Sequence, residues 1–88
     1  MMIPTFGVEL MNQWKLVSDE YLERELVFDD FLSALNFLNE AAEICEQQNH
    51  HAEFILSYGG LVIKTWSHDV GKVTERDYNL ARAIEELV

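Results

Sequence analysis

The stretch EFILSYGGLVIKTW, residues 53–66, decides the fold. Two runs rich in β-branched, aromatic and other apolar residues flank Gly59-Gly60, which predicts strands over 53–58 and 61–67 joined through Tyr58-Gly59-Gly60. Glycine there supplies the positive φ angles of a tight hairpin, so the two strands are expected to pair antiparallel.

Upstream of the hairpin, Asp29 or Asp30 offers an N-cap for a helix over residues 31–48. Its apolar stripe is read as Phe31, Leu35, Leu38, Ala42 and Cys45, widened by Ala34, Ala41 and Ile44, with Phe37 near the stripe's edge. Before the helix, YLERELVF (21–28) alternates, with Leu22, Leu26 and Phe28 on one side and Glu23 and Glu25 on the other. Arg24 falls on the apolar side, either as a snorkelling edge residue or as a salt-bridge partner. Residues 16–18 can pair with this strand through a turn at Asp19-Glu20, and Val8–Trp14 reads as a short N-terminal helix. Downstream, Thr74 and Asp77 have the spacing of a capping box. They open a last helix with Tyr78, Leu80, Ala81, Ile84 and Leu87 available to bury. The expected architecture is α-β-β-α-β-β-α: one α+β domain over residues 1–88, a four-stranded antiparallel sheet with the short and the two long helices on one face.

Composition narrows the function. A chain that is 49% hydrophobic and 25% charged, with one proline, suits a folded core rather than disorder. Sixteen acidic against six basic residues give a formal charge of −10, which repels phosphate backbones and argues against direct nucleic-acid binding. No apolar run approaches the roughly 18 residues of a membrane span and no basic leader region is seen, so the cytoplasm is the expected location. Cys45 stands alone, which excludes an internal disulfide and any multi-cysteine zinc site. On the apolar side of its helix it reads as a buried small hydrophobe.

Three histidines carry what chemistry the sequence offers. His50 and His51 lie between helix and strand, and His68 lies just past the strand that follows the hairpin. A turn at residues 59 and 60 brings residue 51 nearly opposite residue 68, so all three are expected at one end of the sheet, within reach of Asp77. An imidazole both donates and accepts a proton near neutral pH. Two facing a small pocket suit an acid/base elimination or hydration, with Glu46, one helical turn before His50, positioned to orient that ring. Solvated surface, or a contact with the helix C-terminus favoured by its dipole, is the commoner explanation of an adjacent pair taken alone. A zinc site is less suited, because neighbours on extended chain point to opposite sides and metal needs three or four converging ligands.

The spacing of Glu46, His50-His51, Ala52, Tyr58, His68 and Asp77 resembles the signature of pterin-4a-carbinolamine dehydratases. Trp14 with YLERELVF, the helix DFLSALNFLNEAAEICEQQNHH and the end SHDVGKVTERDYNLARAIEEL extend the resemblance over residues 14 to 87. It implies dehydration of 4a-hydroxytetrahydropterin to quinonoid dihydropterin by a hydro-lyase of tetrahydrobiopterin recycling, without metal or cofactor. By the same resemblance His50 and His68 are the acid/base pair, Glu46 the carboxylate behind His50, and His51 a pterin contact. Ala52, Ser67, Asp69 and Val70 would line the pocket, Trp14 would close it and Asp77 would brace His68. Dimers or tetramers through helix 31–48 and the sheet edges are implied as well. The sequence departs from the family pattern at Ala52, where proline is usual, at Lys72, where glycine is usual, and at Trp66, where a smaller residue is common. These departures and the acidic surface motivate the alternative, a dehydratase-like interaction protein that serves as a transcriptional dimerisation cofactor or an assembly chaperone.

Overall fold

The computed structural model describes residues 13–88. The elements run β1 (Lys15–Val17), β2 (Tyr21–Val27), α1 (Phe31–Gln48), β3 (Glu53–Ser57), β4 (Gly60–Thr65) and α2 (Glu75–Glu85). The four strands form one sheet in the order β1-β2-β4-β3, antiparallel at every pairing. The expected N-terminal helix falls mostly outside the described residues, and residues 13 and 14 form a turn and a bend.

Alternation divides the sheet into two faces. Leu22 faces Thr65, Arg24 faces Ile63 and Leu26 faces Leu61, while Phe54 and Leu56 extend the same face onto β3. This is the buried face, where Leu22, Leu61 and Ile63 meet Ala41 and Cys45 of α1 and Leu80, Ala81 and Ile84 of α2. Truncating any of these large aliphatic side chains to alanine would cost about 2–5 kcal/mol. The opposite face carries Tyr21, Glu23, Glu25, Val62, Lys64, Glu53 and Ile55, with no helix of the described residues laid over it.

The hairpin between β3 and β4 forms, but for a different reason from the one its glycines suggest. Neither Gly59 nor Gly60 has a positive φ; among the described glycines only Gly71 does, at 80°. At Gly59 the value lies in close approach, since a Cβ there would come within 3.3 Å of the Phe28 carbonyl oxygen; one on Gly60 would lie 3.4 Å from the Leu26 carbonyl oxygen, an ordinary contact. The register pairs Glu53 with Lys64 and Ser57 with Gly60, so continuing the ladder sets His51 against Trp66 rather than His68. In the β1–β2 turn the left-handed residues are Ser18 and Asp19, one position earlier than the turn expected at Asp19-Glu20.

Asp30 caps α1 by accepting from the Ser33 backbone N–H at 2.7 Å. Its buried residues are Ala34, Phe37, Ala41 and Cys45, so the stripe is rotated from the one read in the sequence. Phe37 sits inside it against Phe28, whereas Phe31 is 44% exposed and Ala42 faces solvent. Several phases of a helix with apolar residues at so many positions satisfy the same periodicity, and the sheet selects among them. On α2, Asp77, Leu80, Ala81, Ile84 and Glu85 are buried, an apolar stripe closed by an acid at each end, while Leu87 lies beyond the helix and is exposed. Glu85 accepts from Arg24 through two hydrogen bonds, at 2.9 and 2.8 Å, and from the Trp14 indole N–H at 2.9 Å. Arg24 therefore faces inward because an acid on α2 meets it there. No helix among the described residues is long and apolar enough to cross a membrane.

Candidate functional site

The end of α1 creates the site. Asn49 adopts the left-handed conformation (φ 54°), its N–H donates to the Glu46 carbonyl and the His50 N–H donates to the Cys45 carbonyl. This Schellman arrangement satisfies the last helical carbonyls and turns the chain back toward the sheet. The reversal sends His50 inward, to a side chain only 10% exposed, and leaves His51 outside, 57% exposed.

Each of these histidines meets a carboxylate, but not the one that sequence distance suggests. His50 Nε2–H donates to Asp77 Oδ1 at 2.6 Å, and Glu46 Oε2 lies 2.5 Å from His51 Nε2. Glu46 therefore stands beside His51 rather than His50, and Asp77 braces His50 rather than His68. The reversal at Asn49 is the physical cause, since it carries the His50 ring away from the helix turn that holds Glu46.

Asp77 is fully buried and its two oxygens accept four hydrogen bonds. Oδ1 takes Thr65 Oγ1–H at 2.6 Å as well as His50, and Oδ2 takes Ser67 Oγ–H and the Thr74 backbone N–H, both at 2.9 Å. Burial pushes the carboxyl's pKa up, but the bonds from His50, Thr65, Thr74 and Ser67 outweigh it and hold Asp77 below its usual value. As a carboxylate it can only accept, so His50 carries its proton on Nε2 and, when neutral, offers Nδ1 as its acceptor. Among the described residues no buried side-chain polar atom lacks a partner.

His68 follows β4 in a tight turn. Ser67 bridges to Lys72, its carbonyl accepts the Gly71 N–H at 2.7 Å, and Gly71 takes the positive φ. The His68 ring packs against Trp66 with centroids 4.6 Å apart. Asp69 accepts two bonds from Arg76 Nη2, at 2.9 and 3.2 Å, and this bond to Arg76 holds its carboxyl below the usual range.

A cavity of about 280 Å³ opens at this end of the sheet, lined by Asn49, His50, His51, Trp66, His68, Asp69 and Arg76. All three histidines reach it, His50 and His51 together because they precede β3, where strand alternation does not apply. Other expected site residues are elsewhere. Ser67 is fully buried beneath the cavity on Asp77, Ala52 packs against the core, and Val70 is exposed outside the lining. Trp14 is in the core with its indole on Glu85, drawn there by that acid, and does not close the cavity. Sequence reasoning did not assign Asn49, Trp66 or Arg76 to the site. An asparagine just after a helix is a signal for the left-handed stop, but the meeting of Arg76 with Asp69 has no counterpart in local spacing. No group of three or more His, Cys, Asp or Glu side chains among the described residues is placed to hold a metal ion.

A four-stranded antiparallel sheet backed by two helices, with three histidines on one small cavity at the sheet's end, defines an α+β protein with a compact polar cavity. The profile of pterin 4 alpha carbinolamine dehydratase matches residues 5–87, and the chain belongs to that family. Relatives include a protein of Acidobacterium capsulatum, 40% identical over 75 residues (85% of this chain, 80% of the relative). Another, from Sulfurisphaera tokodaii, is 35% identical over 78 residues (89% and 83%); both carry pterin-4-alpha-carbinolamine dehydratase as a provisional name. A solved transcriptional coactivator/pterin dehydratase from Brucella melitensis superposes with a TM-score of 0.82 at 27% identity, covering 96% of this chain and 90% of that one. A pterin dehydratase-like RuBisCO assembly factor of the alpha-carboxysome shares the fold, with a TM-score of 0.70 at 16% identity over 85% and 88%.

Proposed function

We propose that the cavity binds a 4a-hydroxytetrahydropterin and dehydrates it to quinonoid dihydropterin and water. The observation that carries this reading is the convergence of His50, His51 and His68 on one cavity, with a buried carboxylate under His50. Its volume is near the lower end of small-ligand pockets and suits a bicyclic ring. In the reaction the C4a–O bond breaks as the N5 lone pair forms the C4a=N5 bond. The N5 proton goes to a base and the departing hydroxyl takes a proton from an acid, leaving as water. His50, with Nε2–H held by Asp77, offers Nδ1 as the base, and His68 delivers the proton to the leaving oxygen. His51, oriented by Glu46, contacts the ring, and Asp69 and Asn49 supply polar groups at its edge. Ser67, Thr65 and Asp77 are positioning residues that act through His50.

Stopped-flow dehydration of synthetic 4a-hydroxytetrahydropterin by the wild type, His50→Ala and His68→Ala tests this. Rates reduced by on the order of 10²-fold or more in both variants are expected; indistinguishable rates for all three would remove the idea.

A second reading, an interaction protein, draws on the Brucella relative, whose name joins coactivator and dehydratase. Phe31 and Leu32, 44% and 63% exposed on α1, would then pack against a second copy or a partner protein. Sedimentation equilibrium and pull-down of a stoichiometric partner, set beside the turnover measurement, separate the two readings.

A further inference from the structure

Two of the three histidines at the cavity are held by carboxylates, His50 by Asp77 and His51 by Glu46. His68 has no such partner among the described residues, and it stands on an exposed turn rather than in a strand or helix. What meets its ring is the Trp66 indole, 4.6 Å away between centroids and tilted by 48°. The backbone sets up this contact. The bridge from Ser67 to Lys72 keeps the chain extended beyond β4, so Thr65 and Ser67 turn inward to Asp77 while Trp66 and His68, two residues apart, share the other side. The indole is backed in turn. Leu22 pairs with Thr65, so the next step along the ladder sets Tyr21 against Trp66, with ring centroids 6.2 Å apart and planes at 56°. Both ring pairs lie at separations where tilted aromatic rings attract. Lys64 Nζ, 5.2 Å from the Tyr21 ring centroid, adds a cation over that ring. Trp66 itself is half-buried and stands outside the hydrophobic core, so its packing serves this end of the sheet.

We propose that Trp66 is a positioning residue for the reaction: clamped between Tyr21 and His68, its indole holds the His68 imidazole toward the cavity, where the leaving oxygen takes its proton. The inference rests on the function proposed above. Proton delivery needs a ring nitrogen within hydrogen-bond reach of that oxygen. An unheld imidazole samples three wells at χ1 and two orientations at χ2, about six arrangements in all. A flat wall beside the ring removes the arrangements that would occupy the indole's volume and favours those that pack against it. Asp77 orients His50 with a hydrogen bond, and Trp66 orients His68 by shape.

A double-mutant cycle read by stopped-flow dehydration of 4a-hydroxytetrahydropterin tests this. Trp66→Leu is expected to lower kcat by up to about sixfold, the loss when six arrangements are shared equally, with KM little changed. Trp66→Phe, which restores a ring, should recover most of that loss. In the His68→Ala background Trp66→Leu should have no further effect on the residual rate, because no ring is left to hold. Tyr21→Leu withdraws the indole's backing without touching the histidine cavity and should give a smaller fall in kcat. Without any pterin, the His68 ring C–H signals in a proton–carbon NMR spectrum should move toward those of free histidine in Trp66→Leu and much less in Trp66→Phe. Circular dichroism checks the fold of each variant. A fall of equal size in the His68→Ala background, a rise in KM with kcat unchanged, or His68 signals unmoved in Trp66→Leu would each overturn the assignment, as would wild-type kcat in both Trp66→Leu and Tyr21→Leu. No turnover by the wild type would overturn the dehydration reading and the catalytic purpose of the contact, an outcome the NMR arm tells apart from a wrong account of the contact itself.

Discussion

Replacing Asp77 with asparagine exchanges one oxygen for an amide NH2 at the most connected atom pair of the site. If the NH2 faced Ser67 and Thr74, it would oppose the Thr74 backbone N–H, a donor that cannot reverse. It is therefore expected to face His50 and Thr65, where the hydroxyl can rotate and the imidazole can move its proton to Nδ1. The Thr65 hydroxyl, fully buried, then loses its acceptor, and all the remaining bonds lose the assistance of the charge. Together these cost about 2 kcal/mol, which for a domain of this size lowers Tm by about 8–16 °C. Turnover falls further than stability, by on the order of 10²-fold, because the swapped tautomer leaves no base at Nδ1.

The pH dependence supplies the sign. Asp77 is held below its ordinary value, so its contribution is full above the unfolded carboxyl pKa of about 4 and is lost as pH falls through the lower folded value. The Tm gap between wild type and Asp77→Asn, followed by circular dichroism, should therefore be constant near neutral pH and close as the solution is acidified below about pH 4. A gap that holds unchanged to low pH, or an asparagine variant with wild-type Tm and turnover, would refute the assignment of Asp77 as a charged anchor for His50.

Three further outcomes follow from the same geometry. Glu85→Leu strands the Arg24 guanidinium and the Trp14 indole N–H and should cost about 3–5 kcal/mol in urea unfolding, whereas Arg24→Met with Glu85→Leu recovers most of it; a double variant no more stable than Glu85→Leu would contradict this. Gly71→Ala forces a left-handed residue to carry a Cβ and should cost about 1 kcal/mol through backbone strain alone, since no atom lies within 4 Å of that Cβ, and thermal unfolding reads it directly. Glu46→Gln alters a hydrogen-bond partner of His51 that is 77% exposed and should change stability by less than about 0.5 kcal/mol while raising KM, so a large Tm drop would argue that Glu46 is structural.

Much of the architecture was legible because periodicity is a local property. The alternation in β2, the paired strands around Gly59-Gly60 and the capping box at Thr74 each arise within a few residues, and together they yield the sheet, both described helices and the order of elements. The gathering of the three histidines at one end of the sheet was legible too, since it needs only a helix that ends before His50 and a hairpin that returns near it. The phase of α1 was not, because Phe31 and Phe37 both satisfy helical spacing and only packing against Phe28 picks the second.

The sequence by itself thus determined the elements, their antiparallel order and the supply of histidines and acids at the sheet's end. Tertiary structure decided which acid serves which histidine, that Trp14 belongs to the core and that Trp66 belongs to the site. The reason is geometric: one left-handed residue, Asn49, turns the chain so that His50 points inward and His51 outward, and His50 and Trp14 each meet an acid far along the chain, 27 and 71 residues away. Spacing along the chain carries no measure of such distances, whereas the packed fold does.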